Sequence, residues 1–393
     1  MPALSRSQTN LIVYLTSFFL YNFARVLPHA VLTVILLNKG MSVGQIAVIQ
    51  SFFMIAVLGF ELPSGLLTDT WSEQRVYELS LLLLALSYGL IMWSHSFWIL
   101  SGSWFIYGIS SAAISSSLET YFLRQYQHNE PLIKRFNVRF NNTNLMSSLL
   151  GGGLGSFIYA YLENALYIIS IVLIGVAFCL ILFGFHGTAG KAAEQRSSFC
   201  ELVALLRTGL SAQLWLTIGQ LAVLQIVAQL FFQFWQVLFL GAGLKQTQFG
   251  LFYVGFQLIA LGSNWVFARW NFRRGEVFLV LLMVSLFLSA LACQHWQFGM
   301  VSLTCLFLVP FNIYSTQLLV NLQRQAPARS LASVTAVSGT LGSVVSLLLL
   351  WGVGVLDHFQ SFPVVAVEAV GLFVLLSVGG YVWFAWRSRR MAE

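Results

Sequence analysis

The chain has 393 residues, 58% of them hydrophobic and only 8% charged, with a formal net charge of +7. A soluble globular chain carries about 25% charged residues, so this composition excludes a water-soluble domain and indicates a polytopic membrane protein. The basic residues stand singly between apolar runs, which excludes a nucleic-acid surface, and the four cysteines show no CxxC spacing, which leaves neither a disulfide scaffold nor a zinc site.

A bilayer-spanning helix needs about 20 mainly apolar residues. Apolar runs predict twelve of them, at 11–37, 42–67, 76–94, 98–121, 140–161, 164–186, 214–241, 248–268, 276–294, 297–321, 332–355 and 363–386. The first run is too long for the core of a signal peptide and reads as an uncleaved first helix. With the N-terminus inside, the inner segments hold seventeen of the twenty Lys and Arg residues. Lys39 and Lys245 fall outside and Arg25 lies within the membrane. This asymmetry predicts cytoplasmic termini.

The first helix holds Asn22, Arg25 and His29 at spacings of three and four, so they share one face, and Pro28 loosens the helix at that level. Ionisable groups within a span are costly and mark function or a partner. Arg25 is therefore either a substrate or coupling residue, or a clamp for a carboxylate on a neighbouring helix.

The second helix leaves the membrane through Glu61-Leu62-Pro63-Ser64-Gly65-Leu66-Leu67-Thr68-Asp69, then turns polar up to Arg75. Gly65, Leu67 and Asp69 resemble the Gly-x-Leu-Ala-Asp-Arg-x-Gly-Arg-Lys loop of the major facilitator superfamily. Thr70, Ser72, Glu73 and Gln74 stand where its Arg, Gly, Arg and Lys would be. The resemblance implies an all-α integral membrane fold of twelve helices in two six-helix pseudo-repeats. It also implies alternating access, and a cytoplasmic gate served by Gly65, Asp69 and Arg75. Helices one, four, seven and ten would line a midplane cavity, bringing Arg25 and His29 together with Tyr107 of helix four.

Glu119 follows Ser115, Ser116 and Ser117 near the inner end of helix four, as Glu61 lies near that of helix two. Together these two stretches resemble a drug or solute exporter branch of the superfamily. Either acid can serve proton coupling if desolvation raises its pKa, or belong to the gate network. Helix five carries Gly151, Gly152, Gly153 and Gly155, which suit close packing against helix eight. Residues 187–213 read as a cytoplasmic amphipathic linker, with Phe199, Leu202, Leu206 and Leu210 at helical spacing. The linker separates an N-terminal bundle (1–186) from a C-terminal bundle (214–393).

The halves repeat. Leu37-x-x-Gly40-Met41-x-x-x-Gln45-Ile46 recurs as Leu240-x-x-Gly243-Leu244-x-x-x-Gln248-Phe249, as expected for the parallel repeats of this superfamily. Helix seven carries Gln225, Gln229, Gln233 and Gln236 within an arc of about 80°. Such an amide row either lines a cavity for polar ligands or glues helices together. Helix ten presents Tyr314, Gln317 and Asn321 below Pro310. Glu368, in helix twelve, is expected to snorkel towards water.

No ATP-binding loop, HExxH, G-x-S-x-G or metal-ligand spacing occurs. The expected protein is thus a monomeric secondary transporter of the cell membrane, bacterial in character, with no enzymatic activity and no cofactor. Its partners would be lipid, a small-molecule substrate and protons. Proton-coupled export of an amphipathic molecule is the leading expectation, and import of a sugar-like or other neutral polar solute the second.

Overall fold

A computed structural model describes residues 6–115, 117–126, 129–163, 165–186, 211–270, 275–326 and 331–390. The predicted linker helix falls almost wholly outside these residues. Every regular element among them is helical. Ten helices are long and apolar enough to cross a membrane; a broken first segment and a shorter apolar helix at Glu276–Ala292 accompany them. The chain divides into two compact units, residues 1–193 with 245–254, and residues 194–244 with 255–393.

In the first unit the predicted first helix is two: α1 (Arg6–Val26) and α2 (Leu32–Asn38). Pro28 has no N–H to donate and its ring opposes helical continuation, so residues 27–31 form a turn. This corrects the reading of His29 as a residue on a continuous helical face: it sits in the turn. The unit continues with α3 (Val43–Thr70), α4 (Glu73–Trp93), α5 (Phe97–Ser115), α6 (Leu118–Tyr126), α7 (Glu130–Leu162) and α8 (Ala165–Gly184). Predicted helix four is likewise split, into α5 and α6. The Ser115 hydroxyl donates to the Ala112 carbonyl at 2.8 Å, and that of Ser117 to the Ile114 carbonyl at 2.7 Å. Such local bonds give the backbone an alternative to the helix. Helix five begins ten residues earlier than expected, where Asn129 accepts from the Leu132 amide and Pro131 takes the first turn.

Packing explains the glycines of α7. A Cβ on Gly151 would lie 2.8 Å from the Phe23 carbonyl oxygen, and one on Gly155 would overlap the Leu27 carbonyl. The opposite face meets Tyr253 at Gly152 and Val254 at Gly153. The expected partner, helix eight, is therefore joined by a second one, the broken end of α1. Ser156 adds a polar pin there, its hydroxyl accepting the Gly250 amide at 2.8 Å. Near the other end of α1, Tyr14 stacks on Phe122 at 5.3 Å and Phe122 on Phe136 at 5.5 Å, joining α1, α6 and α7.

The second unit contains α9 (Ala212–Gly241), most of α10 (Phe249–Arg269), α11 (Glu276–Ala292), α12 (Gln297–Gln325), α13 (Leu331–Leu356) and α14 (Phe362–Arg390). Here α9 packs on α12, α13 and α14, as α1 packs on α7 and α8. The repeat extends to atoms. Gly40 (φ +85°) and Gly243 (φ +81°) both close a helix in the left-handed conformation. The amides that follow bond back five residues, Met41 to the Leu36 carbonyl and Leu244 to that of Phe239. Both are Schellman closures. Gln45 then caps the Ser42 amide, and Gln248 that of Lys245.

Glu73 and Glu276, 203 positions apart, open corresponding helices. Glu73 is buried and pairs with Arg124 at 3.1 Å. Glu276 instead accepts from Asn321 at 2.9 Å and from the Tyr381 hydroxyl at 3.1 Å.

Two stability outcomes follow from this packing. Gly155→Ala forces backbone apart from backbone, so it lowers the thermal midpoint of the purified protein by the equivalent of about 1–3 kcal/mol, whereas Gly175→Ala, where a Cβ meets open space, leaves it unchanged or raises it. Glu276→Ala removes two donors' acceptor at once and costs about 2 kcal/mol in the same measurement; an unchanged midpoint would show that the cluster contributes nothing to folding.

Candidate functional site

The polar centre of the first unit forms where α1 ends. Arg25 occupies the last turn of α1 and is half-buried. Its Nε–H and one Nη2 hydrogen donate to the Asn22 Oδ1, at 3.2 and 2.7 Å. Asn22 is fully buried and fixed in turn by its amide nitrogen, whose two hydrogens are shared among the Asn144 carbonyl and Oδ1 and the hydroxyls of Ser147 and Ser148, all within 3.1 Å. The guanidinium is thus held from α7 through a neutral intermediary. The Tyr88 hydroxyl caps the Arg25 carbonyl at 2.9 Å, and Tyr21, Tyr88 and Tyr107 lie beside the charge. Across the turn, Tyr107 meets the His29 Nε2 at 3.4 Å. No ion pair to Arg25 exists among the described residues. The carboxylate clamp that the sequence left open has no acid among them.

The acids sit elsewhere. Glu61 is exposed on α3, and its carbonyl accepts from Ser64. Glu119 opens α6, half-buried near Tyr14, and makes no hydrogen bond or ion pair to a described residue. Gly65 and Asp69 lie in the last turns of α3, within the helix and not in a loop after it, and the side chain of Asp69 falls outside the description. Arg75 is exposed in the first turn of α4, its amide accepted by the Ser72 hydroxyl.

In the second unit the glutamine row does not meet one environment. Gln225 packs against Gly342 of α13, Gln229 and Gln233 are half-buried, and Gln236 is buried. On the same side, the exposed Phe232 contacts Phe311 at 5.7 Å. Tyr314 and Gln317 are buried, and with Asn321 they bond within the protein. Gln317 donates to Asn321 at 2.9 Å, Asn321 to Glu276, and Tyr314 to Gln220 at 3.4 Å; Gln220 donates to the Ser377 carbonyl at 3.0 Å. This chain of amides and phenols ties α9, α11, α12 and α14 around the carboxylate of Glu276.

Sequence reasoning missed Glu276, Gln220 and Tyr381. The first had a legible signal in its 203-residue offset from Glu73, but Gln220 lies off the glutamine arc and Tyr381 in an apolar run. Among the described residues no cluster of three His, Cys, Asp or Glu side chains stands close enough to hold a metal ion. Glu368 is exposed on α14 at the edge of an apolar groove of about 320 Å³ that includes Leu348, Val365 and Leu372.

Each unit thus holds half-buried or buried polar groups that are fixed by second partners within apolar helices. The sequence profile of the Major Facilitator Superfamily matches residues 13–350. A search among curated proteins finds no match. Solved structures with the same fold include the nucleoside transporter NupG, at 12% identity and a TM-score of 0.73 over 97% of this chain and 99% of that one. The POT family transporter PepTSo aligns with a TM-score of 0.72 and 14% identity, over 98% and 99% of the two chains. A bacterial homolog of the human lysosomal transporter Spinster, inward-facing and unoccupied, aligns with 0.68 and 11%, over 99% and 98%. With its profile match over most of the length and its two repeated helical halves, the chain belongs to the Major Facilitator Superfamily and is an integral membrane transporter, not an enzyme.

Proposed function

We propose that the protein is a proton-coupled secondary transporter that exports a small amphipathic molecule by alternating access, with both termini in the cytoplasm. The observation that carries the coupling is Glu119. A half-buried carboxylate without a hydrogen-bonding or charged partner among the described residues is costly in its ionised form. Taking up a proton relieves that cost, and giving it up restores it, so the group changes state with the water access that an alternating-access cycle provides. Glu61, exposed and at the same end of its helix, is the accessory acid of this reading. Gly65, Asp69 and Arg75 serve the cytoplasmic gate.

Substrate contacts are assigned to Asn22, Arg25, His29 and Tyr107 in the first unit. In the second they are assigned to Gln225, Gln229, Gln233 and Gln236, with Tyr314, Gln317 and Asn321 behind them. The internal bonds of the last three give them a supporting share, since their donors and acceptors are already engaged. Import of a neutral polar solute is the second reading, favoured by the half-buried Gln229, whose amide offers donors and an acceptor without charge.

Proteoliposomes under an imposed pH gradient test the coupling. Glu119→Gln is expected to cut gradient-driven accumulation of a transported dye about tenfold, the effect of ~1.4 kcal/mol, while counterflow exchange without a gradient continues. Gradient-driven accumulation unchanged in Glu119→Gln would remove the acid from the mechanism, and uptake of sugars alone would select the import reading.

A further inference from the structure

We infer that the Arg25 site recognises an anionic oxygen group, so that the transported molecule carries a carboxylate or a phosphate ester beside its apolar body. The inference rests on the transporter reading and adds the charge class of its substrate.

A guanidinium has five N–H donors. At Arg25 the bonds to Asn22 use Nε–H and one hydrogen of Nη2, and the Tyr107 hydroxyl is a further hydrogen-bonding neighbour of the guanidinium. Both partners are neutral, so they orient the fork without compensating its charge. Asn22 is held by its two amide hydrogens, which face four acceptors of α7. The orientation of the fork is therefore built into the helix packing before any ligand arrives.

Could the charge be structural, matched to the C-terminal end of α1? A cation there gains about 0.3–1 kcal/mol, up to ~2 in partly buried geometry. The effective penalty for taking one ion out of water is several kcal/mol. The helix end thus falls short of the cost, and no acid described in this unit pairs with Arg25: Glu73 pairs with Arg124, Glu78 accepts from Gln74, Glu61 is exposed, and Glu119 lies beside Tyr14, eleven residues before Arg25 on α1. The hydroxyls of Tyr88 and Tyr107 point the same way. Tyr88 spends its proton on the Arg25 carbonyl, while Tyr107, against His29, supplies a second polar contact beside the fork. Among the described residues Arg25 has neutral partners and no paired acid. A planar guanidinium fork held by neutral groups matches the two oxygens of a carboxylate, or two of a phosphate, in a bidentate bond.

The test uses purified protein in detergent and three amphipathic probes of similar size: 4-phenylbutyrate, phenyl phosphate and the neutral 4-phenylbutyramide. At least one anion is expected to raise the thermal unfolding midpoint and the amide to leave it in place; which anion does so separates carboxylate from phosphate recognition. Arg25→Gln should weaken the anion's apparent affinity about tenfold or more, ~1.4 kcal/mol, and Arg25→Lys should retain part of it, since the charge stays and the fork is lost. Arg139→Gln, which removes an exposed charge on α7, should behave as wild type and so control for general anion binding. Stabilisation by the amide equal to that by the acids, no stabilisation by either anion, or an anion effect that survives in Arg25→Gln would overturn the inference. The comparison of the three probes on wild-type protein stands even if Arg25→Gln fails to fold. Binding is measured without a gradient, so a failure of proton coupling leaves the result intact, and transport of the amide alone in proteoliposomes would keep the transporter while discarding the anionic substrate.

Discussion

The close approach of α7 to the broken end of α1 is the constraint on which the first unit depends. In a bilayer, any interruption of a helix frees backbone groups that lipid cannot satisfy. Pro28 creates such an interruption at residues 27–31, and the surrounding protein has to absorb it. Gly151 and Gly155 let the α7 backbone reach the Phe23 and Leu27 carbonyls, and Leu27 and His29 keep their amides bonded to Phe23 and Val26. The same contact brings Asn144, Ser147 and Ser148 to Asn22. A side chain at Gly155 would therefore push away the residues that hold Arg25, even though it touches none of its atoms.

The two halves solve one structural problem with different chemistry. The turns after α2 and α9 are near copies, down to the left-handed glycine and the glutamine that caps the next helix. The starts of α4 and α11 are not. Glu73 meets an arginine, a pairing that is strong only while both charges persist. Glu276 meets an amide and a phenol, which hold a carboxylate without neutralising it. Backbone geometry repeats because the turn admits few sequences. Side-chain partners have drifted because several donor sets satisfy one carboxylate.

How much of this was legible beforehand follows from the same distinction. Spans, repeat and family came from apolar run length, the lysine and arginine asymmetry, and the Gly65-Asp69 signature, which are properties of one stretch at a time. The break at Pro28 was half-read: proline marked the level, but its turn displaced His29 from the helical face assigned to it. Ser115 and Ser117 belong to a motif in the sequence, and in the fold their hydroxyls also bond to the Ala112 and Ile114 carbonyls. Glycines of α7 were assigned one partner because a period of 3.6 shows which residues share a face, and not how many neighbours that helix has. Spacing makes Asn22 the companion of Arg25, yet the acceptors that anchor its amide come from more than 120 residues away, where no local pattern reaches. The network around Glu276 was hidden for the same reason.

Arg25 and Glu119 lie in the same unit with opposite charges, and the folded chain does not pair them. Joined, they would cancel much of each other's desolvation cost, and the bundle would be more stable for it. Kept apart, each retains a cost that, in the function proposed above, an anionic group relieves at one and a proton at the other. A ligand shifts a conformational equilibrium only by its differential affinity for the two states, and a charge already neutralised by its neighbour has little differential affinity left to offer. On the proposed reading, stability forgone at these two residues is the quantity that binding converts into movement, and the neutral anchor at Asn22 holds Arg25 in position without cancelling its charge.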